Sequence, residues 1–137
     1  MMQTFTLDPR LKNDTAPVLS LPLSDLLLMD DARFPWLIMV PRRPGKAELI
    51  DLDSAERSQL MDEVAMISHA LKKVTSCDKL NVATLGNAVR QLHIHVVARF
   101  TTDVAWPGPV WGNGEAVAYR PQERQGLIDL ISGAIPV

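Results

Sequence analysis

The sequence lacks the features that mark secreted, membrane-bound or disulfide-stabilised proteins. It contains one cysteine, Cys77, which excludes an intramolecular disulfide and a metal site built from several thiolates. Residues 1–14 carry no apolar signal core, and the longest apolar runs, Leu26–Met29 and Trp36–Val40, are far too short to cross a bilayer. These absences predict a cytoplasmic protein with no membrane partner.

The sequence also lacks a strong charge of either sign. A formal net charge of -2 at pH 7 provides no general attraction to nucleic-acid phosphates, so nucleic acid is not predicted as a partner. There is no internal repeat, low-complexity tract or linker at which a domain boundary would be placed. The 137 residues are enough for one hydrophobic core and too few for two, so we expect a single domain over residues 1–137.

A long amphipathic helix is predicted from Asp53 to about Val74, a stretch that contains neither Pro nor Gly. Glu56 stands three residues after Asp53, which is the spacing of a capping box. His69 is interpreted as an ordinary surface residue of this helix, because no base or ligand pairs with it at helical spacing. Apolar residues recur at that spacing and form a stripe suited to covering a sheet: Leu60, Val64, Ile67, Leu71 and Val74.

Four short segments are predicted as β-strands. The apolar runs Leu26–Met29 and Trp36–Val40 flank a turn-like segment, and we expect them to pair antiparallel. Residues 79–84 and 91–100 flank the turn residues 85–87, and we expect them to form a hairpin.

The remaining segments contain residues that break regular structure. We expect an irregular arm at residues 15–22 and an irregular loop at residues 101–114, because of their Pro, Ser and Gly content. A final helix is predicted from Arg120 to about Ile131, with Pro next to its start and Gly133 as its end.

The predicted strand 91–100 carries the chemically informative residues. Side chains alternate between the two faces of a strand, and one face is apolar and expected to meet the core: Leu92, Ile94, Val96, Ala98 and Phe100. The opposite face carries Gln91, His93, His95 and Arg99. Arg99 is interpreted as a charged strand end near the edge of the sheet. The row of polar side chains beside it needs a specific reason.

A His-x-His pair on a strand has three plausible uses. The first is that His93 and His95 are two metal ligands, and the second is that one is a nucleophile and the other a neighbouring hydrogen-bond donor. The third is that both are merely polar residues on a solvent-facing side. A metal site is the weakest of these interpretations, because two strong ligands are visible where three or four are usual. The spacing of the two histidines does not choose between the other two.

The segment Gln91-Leu92-His93-Ile94-His95-Val96-Val97 resembles the signature of the histidine triad family, His-φ-His-φ-His-φ-φ with φ apolar, at every place but the first. The similarity includes Asn81, the turn Gly86-Asn87, the strand sequence WLIMVPR and the pair Trp106-Pro107 after the motif. It covers about residues 23–112. The chain departs from the family pattern at Gln91, at Asn87, where glutamine is usual, and in a shortened loop before Trp36 that lacks a histidine.

The resemblance implies an α+β fold, with a mostly antiparallel sheet of about five strands, one long helix and a C-terminal helix, assembled as a homodimer. It also implies that His93 attacks the α-phosphorus of a nucleotide without a metal or other cofactor, and that the nucleotidyl-histidine is then released. The main-chain carbonyl of Gln91 is expected to orient the His93 ring. The Gln91 amide is expected to donate to phosphate, and His95 to a phosphate oxygen or to the leaving-group oxygen. Slower turnover or an altered substrate preference is expected because Gln91 replaces a histidine.

The substrate implied is a purine nucleotide or a nucleotide conjugate. Asn87 is a candidate donor to a phosphate oxygen, although its place in a turn explains it equally well. Asp30 or Asp31 resembles the acidic residue that binds ribose, with an exposed turn aspartate as the equal alternative. Asn81 belongs to the same predicted set of substrate-binding residues.

The three tryptophans divide into two groups. Trp36 opens an apolar strand and is expected in the core, whereas Trp106 or Trp111 is expected to line a base pocket across the dimer interface or to cap the core. An alternative function to catalysis is a nucleotide-binding or regulatory module that kept the pocket and lost efficient chemistry at Gln91.

Overall fold

Within residues 3–136, which the computed structural model describes, five antiparallel strands form one sheet in the order β1-β2-β3-β5-β4. The strands are β1 (Thr15–Ser20), β2 (Ser24–Met29), β3 (Trp36–Pro41), β4 (Lys79–Ala83) and β5 (Ile94–Arg99). The sheet and the helices confirm the predicted α+β fold. Because β5 lies between β3 and β4, the predicted catalytic strand is in the interior of the sheet and β4 forms an edge.

The helices are α1 (Pro9–Asp14), α2 (Ser54–Thr75) and α3 (Pro121–Ala134), with a 3-10 turn at Leu49–Asp51. The predicted capping box at the start of α2 is present, since Asp53 and Glu56 bond each other's main-chain N–H. None of the helices in the described part of the chain has both the length and the hydropathy needed to cross a bilayer.

One terminal prediction is wrong and the other is confirmed. Residues 15–20 are not an irregular arm but the edge strand β1, which tolerates Pro17 because the register shifts between Pro17 and Leu19 and an edge strand has one unpaired side. The predicted C-terminal helix is present as α3, which begins after Arg120 and continues one residue past Gly133, to Ala134. It ends where Ile135 becomes extended, as the residue before a proline prefers.

Both predicted strand pairs are confirmed, but the second is not a tight hairpin. Strand β2 pairs antiparallel with β3, and β4 pairs antiparallel with β5, with Asn81 opposite Val97. Strand β5 begins at Ile94 and not at Gln91, so residues 84–93 form a loop that leads into the strand. His93 is therefore the last residue of this loop, and His95 is the second residue of the strand.

Both faces of the sheet are covered. One face packs beneath α2 and α3 and includes Ile94, Val96 and Ala98, which confirms the predicted core face. The other face carries a second apolar cluster, to which the N-terminal segment and residues 105–111 contribute side chains. Its buried members are Leu11, Leu27, Phe34, Trp36, Ile38, Val40, Val97, Ala105 and Val110. The predicted histidine face is thus a covered face, so the solvent-facing interpretation of the His pair is wrong.

Candidate active site

His93 and His95 form a close, sheltered pair on the second face of the sheet. Their ring centroids are 4.9 Å apart, and each residue is only 5% exposed. His95 stands opposite Ile38 of β3 and Ala83 of β4, so the sheet register fixes its place. His93 stands two residues before it, where the loop 84–93 joins β5. The alternation seen in the sequence therefore places both imidazoles at one site.

The orientation of the His93 ring is set by a main-chain carbonyl. Nδ1 of His93 lies 2.7 Å from the carbonyl oxygen of Gln91. A carbonyl oxygen can only accept, so Nδ1 must carry the proton that it receives. In the neutral ring the lone pair then resides on Nε2, on the opposite side of the imidazole. This is the contact that the resemblance led us to expect.

The tautomer of His95 is set from the neighbouring strand. The indole N–H of Trp36 donates to Nδ1 of His95 over 2.9 Å. An indole can only donate, so Nδ1 must hold a lone pair and the proton of the neutral ring lies on Nε2. Burial, with a smaller contribution from the nearby His93, lowers the pKa of His95 to about 4. His95 is therefore a neutral hydrogen-bond donor near pH 7.

The three tryptophans differ in how they meet the histidine pair. Trp36 is buried as predicted, but its contact with His95 also makes it part of the site. The Trp111 ring stands edge-on to His95 at 5.2 Å and to Trp36 at 6.0 Å. Trp106 is 36% exposed, and its ring covers the guanidinium of Arg99. Trp111 thus borders the histidine pair, whereas Trp106 stacks on a cation beside it.

Arg99 is the last residue of β5, but it is buried and lies on an interior strand, not near the edge of the sheet as the sequence suggested. It is 1% exposed and forms a salt bridge with Asp103 at 2.8 Å. Its guanidinium also donates to Asn81 Oδ1 and to the Gly108 carbonyl, each at 2.8 Å. Hydrogen bonds from the Arg99 guanidinium hold the pKa of Asp103 below its usual range. Asn81, one of the predicted substrate-binding residues, uses its Oδ1 to support the arginine that holds the loop carrying Trp106.

Gln91 also has a contact that the sequence did not reveal. Its side-chain Oε1 accepts from the main-chain N–H of Asp8 at 2.8 Å, and its Nε2 donates to the carbonyl of Thr6 at 2.9 Å. The amide predicted to face a phosphate is therefore engaged with the N-terminal segment. The hydrogen bond from Gln91 to His93 is made by the main-chain carbonyl.

The two candidate ribose-binding aspartates lie together at the end of β2. Asp31 is buried and forms a salt bridge with Arg33 at 2.8 Å. Burial raises the pKa of Asp31, but hydrogen bonds from Arg33 and from the Val117 N–H outweigh burial and hold the pKa below its usual value. Asp30 is half-buried and accepts from the Tyr119 N–H at 2.9 Å. Asp31 therefore holds the chain in place, and Asp30 is the more accessible of the pair.

The turn that precedes His93 is built on a glycine. Gly86 has φ +75°, a conformation that favours glycine, and the exposed Asn87 follows it. Both residues belong to the loop 84–93 that ends at His93.

In the described part of the chain, no group of three or more His, Cys, Asp or Glu side chains is arranged to hold a metal ion.

The comparisons with known proteins converge on one family. The family model described as HIT domain matches residues 10–102, and no curated protein matches the chain. A histidine triad protein from Bradyrhizobium japonicum is 48% identical, with a TM-score of 0.96, over 98% of this chain and 100% of that chain. A histidine triad protein from Sinorhizobium meliloti is 42% identical, with a TM-score of 0.95, over 98% of this chain and 100% of that chain.

A more distant structure has the same fold. The diadenosine triphosphate hydrolase of Plasmodium falciparum is similar at a TM-score of 0.63 over 96% of this chain and 82% of that chain. The sequences are only 13% identical, so this likeness concerns the fold alone.

Proposed function

The chain belongs to the HIT domain family, which includes nucleotide hydrolases and transferases, and on that basis we propose that it is a hydrolase or nucleotidyl transferase acting at the α-phosphate of a nucleotide. The observation that carries the proposal is the 2.7 Å contact of His93 Nδ1 with the Gln91 carbonyl, because it leaves the Nε2 lone pair free for attack. The intermediate is a nucleotidyl-His93.

The reaction proceeds in two steps. In the first, the Nε2 lone pair forms a bond to phosphorus while the bond to the leaving group breaks and its electron pair departs with that group. In the second, water or another acceptor attacks phosphorus, the N–P electron pair returns to Nε2, and the proton of the attacking group passes to solvent. His95 donates its Nε2–H to a phosphate oxygen and stabilises the charge that develops there.

His95 supplies a hydrogen bond and not a proton. Its Nδ1 is occupied by the Trp36 N–H, so loss of the Nε2 proton leaves an anionic ring. A leaving group that departs as an anion, such as the phosphate end of a second nucleotide, needs no proton, whereas an amine does. We therefore place dinucleoside polyphosphates ahead of phosphoramidates as substrates.

Substrate contacts are proposed for accessible residues of the predicted set. Asn87 is exposed on the turn that leads to His93 and is proposed to donate to a phosphate oxygen. Asp30 is proposed to bind the ribose in preference to Asp31, because the Asp30 side chain is 28% exposed beside Tyr119 and Arg124, whereas that of Asp31 is 2% exposed. Trp106 and Trp111 are proposed to border the base of a purine nucleotide or nucleotide conjugate.

We also propose that the protein works as a homodimer. Strand β4 is an open sheet edge, which readily pairs with another chain. Five large apolar side chains on and around β4 are at least 40% exposed. We call this set the β4 patch, and its members are Leu49, Ile50, Met61, Val82 and Leu85. Exposed apolar surface of this kind is typical of a protein interface.

A panel of dinucleoside polyphosphates and nucleoside phosphoramidates tests the function, with mass analysis of the intact protein after brief exposure. Turnover with a transient nucleotidyl adduct is the expected result. A stable adduct without release indicates an enzyme that fails in the second step. Binding of nucleotides with neither adduct nor turnover contradicts catalysis and favours a nucleotide-binding or regulatory module.

A further inference from the structure

The side-chain amide of Gln91 bonds to the main chain of the N-terminal segment through both its oxygen and its nitrogen. The amide accepts from the N–H of Asp8 at 2.8 Å and donates to the carbonyl of Thr6 at 2.9 Å, on either side of Leu7. These contacts join parts of the chain 83 and 85 residues apart. One side chain thus satisfies a donor and an acceptor of the same extended backbone, which requires a group with both functions.

The segment that Gln91 holds is itself anchored. Phe5 and Leu7 pack against the second apolar cluster, the one that contains Trp36. Just after them, the Asp8 side chain caps α1 by accepting from the Arg10 N–H at 2.8 Å. The Arg10 guanidinium donates to the Ala88 carbonyl at 3.2 Å, which joins the segment to the catalytic loop a second time.

The peptide group that orients His93 is held from its other side as well. The carbonyl of this group belongs to Gln91 and its N–H belongs to Leu92, which donates to the Lys46 carbonyl at 2.9 Å. The group lies in the loop 84–93, so no strand ladder holds it. Its orientation depends on the bond from Leu92 to Lys46 and on what fixes the Gln91 side chain.

We propose that Gln91 is a positioning residue, whose side chain fastens the catalytic loop to the N-terminal segment and thereby fixes the carbonyl that holds the His93 tautomer. Its effect on rate rests on the proposed function, whereas its effect on the tautomer does not. Glutamine suits this role because a carboxylate repels the Thr6 carbonyl at neutral pH and an alanine reaches neither partner. The side chain at this position therefore acts on His93 through the backbone.

The direct test is the tautomer of His93, measured by ¹⁵N NMR of the full-length protein labelled at histidine. We expect Nδ1 to be protonated in the wild type and the Nδ1–H population to fall in Gln91→Ala. Gln125→Ala, which removes an exposed glutamine of α3, is the matched control and keeps the wild-type signal. An unchanged His93 signal in Gln91→Ala overturns the proposal, because the bond to Lys46 would then suffice.

A second pair of variants tests the N-terminal side of the contact. Asp8→Pro removes the N–H that Gln91 accepts, and the Asp8 φ of -53° suits proline. Asp8→Ala keeps that N–H and removes only the helix cap. Loss of the Nδ1–H signal in Asp8→Pro but not in Asp8→Ala is expected, and the same signal in both variants contradicts the role of this N–H.

Kinetics and a carboxylate variant separate positioning of His93 from support of the fold. In Gln91→Ala we expect kcat to fall about tenfold or more, with KM within about twofold, because ring orientation affects the chemical step. Gln91→Glu should lose the Nδ1–H signal at neutral pH as Gln91→Ala does, since its carboxylate accepts from Asp8 but cannot donate to Thr6. A wild-type His93 signal in Gln91→Glu at neutral pH, or a loss confined to KM, opposes the proposal. If wild-type protein turns over no nucleotide, the proposed function fails and the tautomer test stands.

Discussion

The indole N–H of Trp36 donates to Nδ1 of His95 over 2.9 Å, which joins two residues 59 positions apart on adjacent strands. The consequence is chemical, because an indole cannot accept and so determines which nitrogen of His95 carries the proton. Only His95 Nε2–H then remains to meet a substrate. The site therefore combines His93, whose neutral ring holds a lone pair on Nε2, with one neutral donor, His95.

Trp36→Phe tests this relationship. Phenylalanine retains much of the apolar ring but leaves Nδ1 of the buried His95 without a donor, so we expect stability to fall by about 1–2 kcal/mol. We also expect the pKa of His95 to rise from about 4, because Nδ1 becomes available to a proton. ¹⁵N NMR titration and urea unfolding measure the two effects. Trp106→Phe, whose ring covers Arg99, is the control and leaves the His95 titration unchanged.

Stability should depend on pH through His95. An unfolded histidine has a pKa near 6.5, whereas burial lowers that of folded His95 to about 4, so the unfolded chain binds the extra proton between these values. The contribution is complete above about pH 6.5, and the free energy of unfolding falls by about 3 kcal/mol as pH drops to about 4. Urea unfolding across this range measures it. His95→Gln removes the titrating group, and an equal slope in that variant would falsify the assignment.

His93→Ala should abolish the nucleotidyl adduct and lower turnover by about a thousandfold or more, because no other group supplies the lone pair. The residue is 5% exposed, so a modest loss of stability, about 1 kcal/mol, is expected as well. Intact-protein mass analysis and steady-state rates measure these effects. His69→Ala changes an exposed histidine of α2 and serves as the matched control. Wild-type turnover in His93→Ala would rule out the mechanism.

Trp111 and Trp106 should respond differently to substitution. Trp111→Ala removes a ring that packs against His95 and Trp36, so we expect a stability loss of about 3 kcal/mol and a lower rate. In the wild type the indole N–H of Trp111 has no hydrogen-bond partner among the described residues. Trp111→Phe keeps an aromatic ring and loses no hydrogen bond, so we expect only a small loss of stability. Trp106→Ala should raise KM with little change in melting temperature. Equal melting temperatures for the two alanine variants contradict this assignment.

The proposed homodimer is tested at the β4 patch. Val82 on β4 is 49% exposed, and Val82→Glu introduces a charge at the open strand edge. We expect light scattering to show half the wild-type mass for this variant. Leu130→Glu, at a 62% exposed position of α3, is the matched control and retains the wild-type mass. A monomeric wild type, or a dimer that tolerates Val82→Glu, contradicts the proposed interface.

Local patterns in the sequence determined much of the fold and the place of the histidine pair. The apolar alternation around His93 and His95 put both rings on the face opposite the α2 core, and the spacing of Asp53 and Glu56 located the start of α2. Each prediction depends on residues within a few positions of one another, where strand and helix periodicity act. The Gln91 carbonyl contact is local in the same sense, since it spans two residues.

Only the tertiary structure decided what surrounds the pair. The partner of His95, the partners of the Gln91 amide and the burial of Arg99 all depend on which strands are neighbours and in what register. A tryptophan in an apolar run looks like core, and an arginine at a strand end looks exposed, until packing brings a complementary group within hydrogen-bond distance. Edge strand β1 was missed for the same reason, because Pro17 is compatible with a strand only when one side of that strand needs no partner.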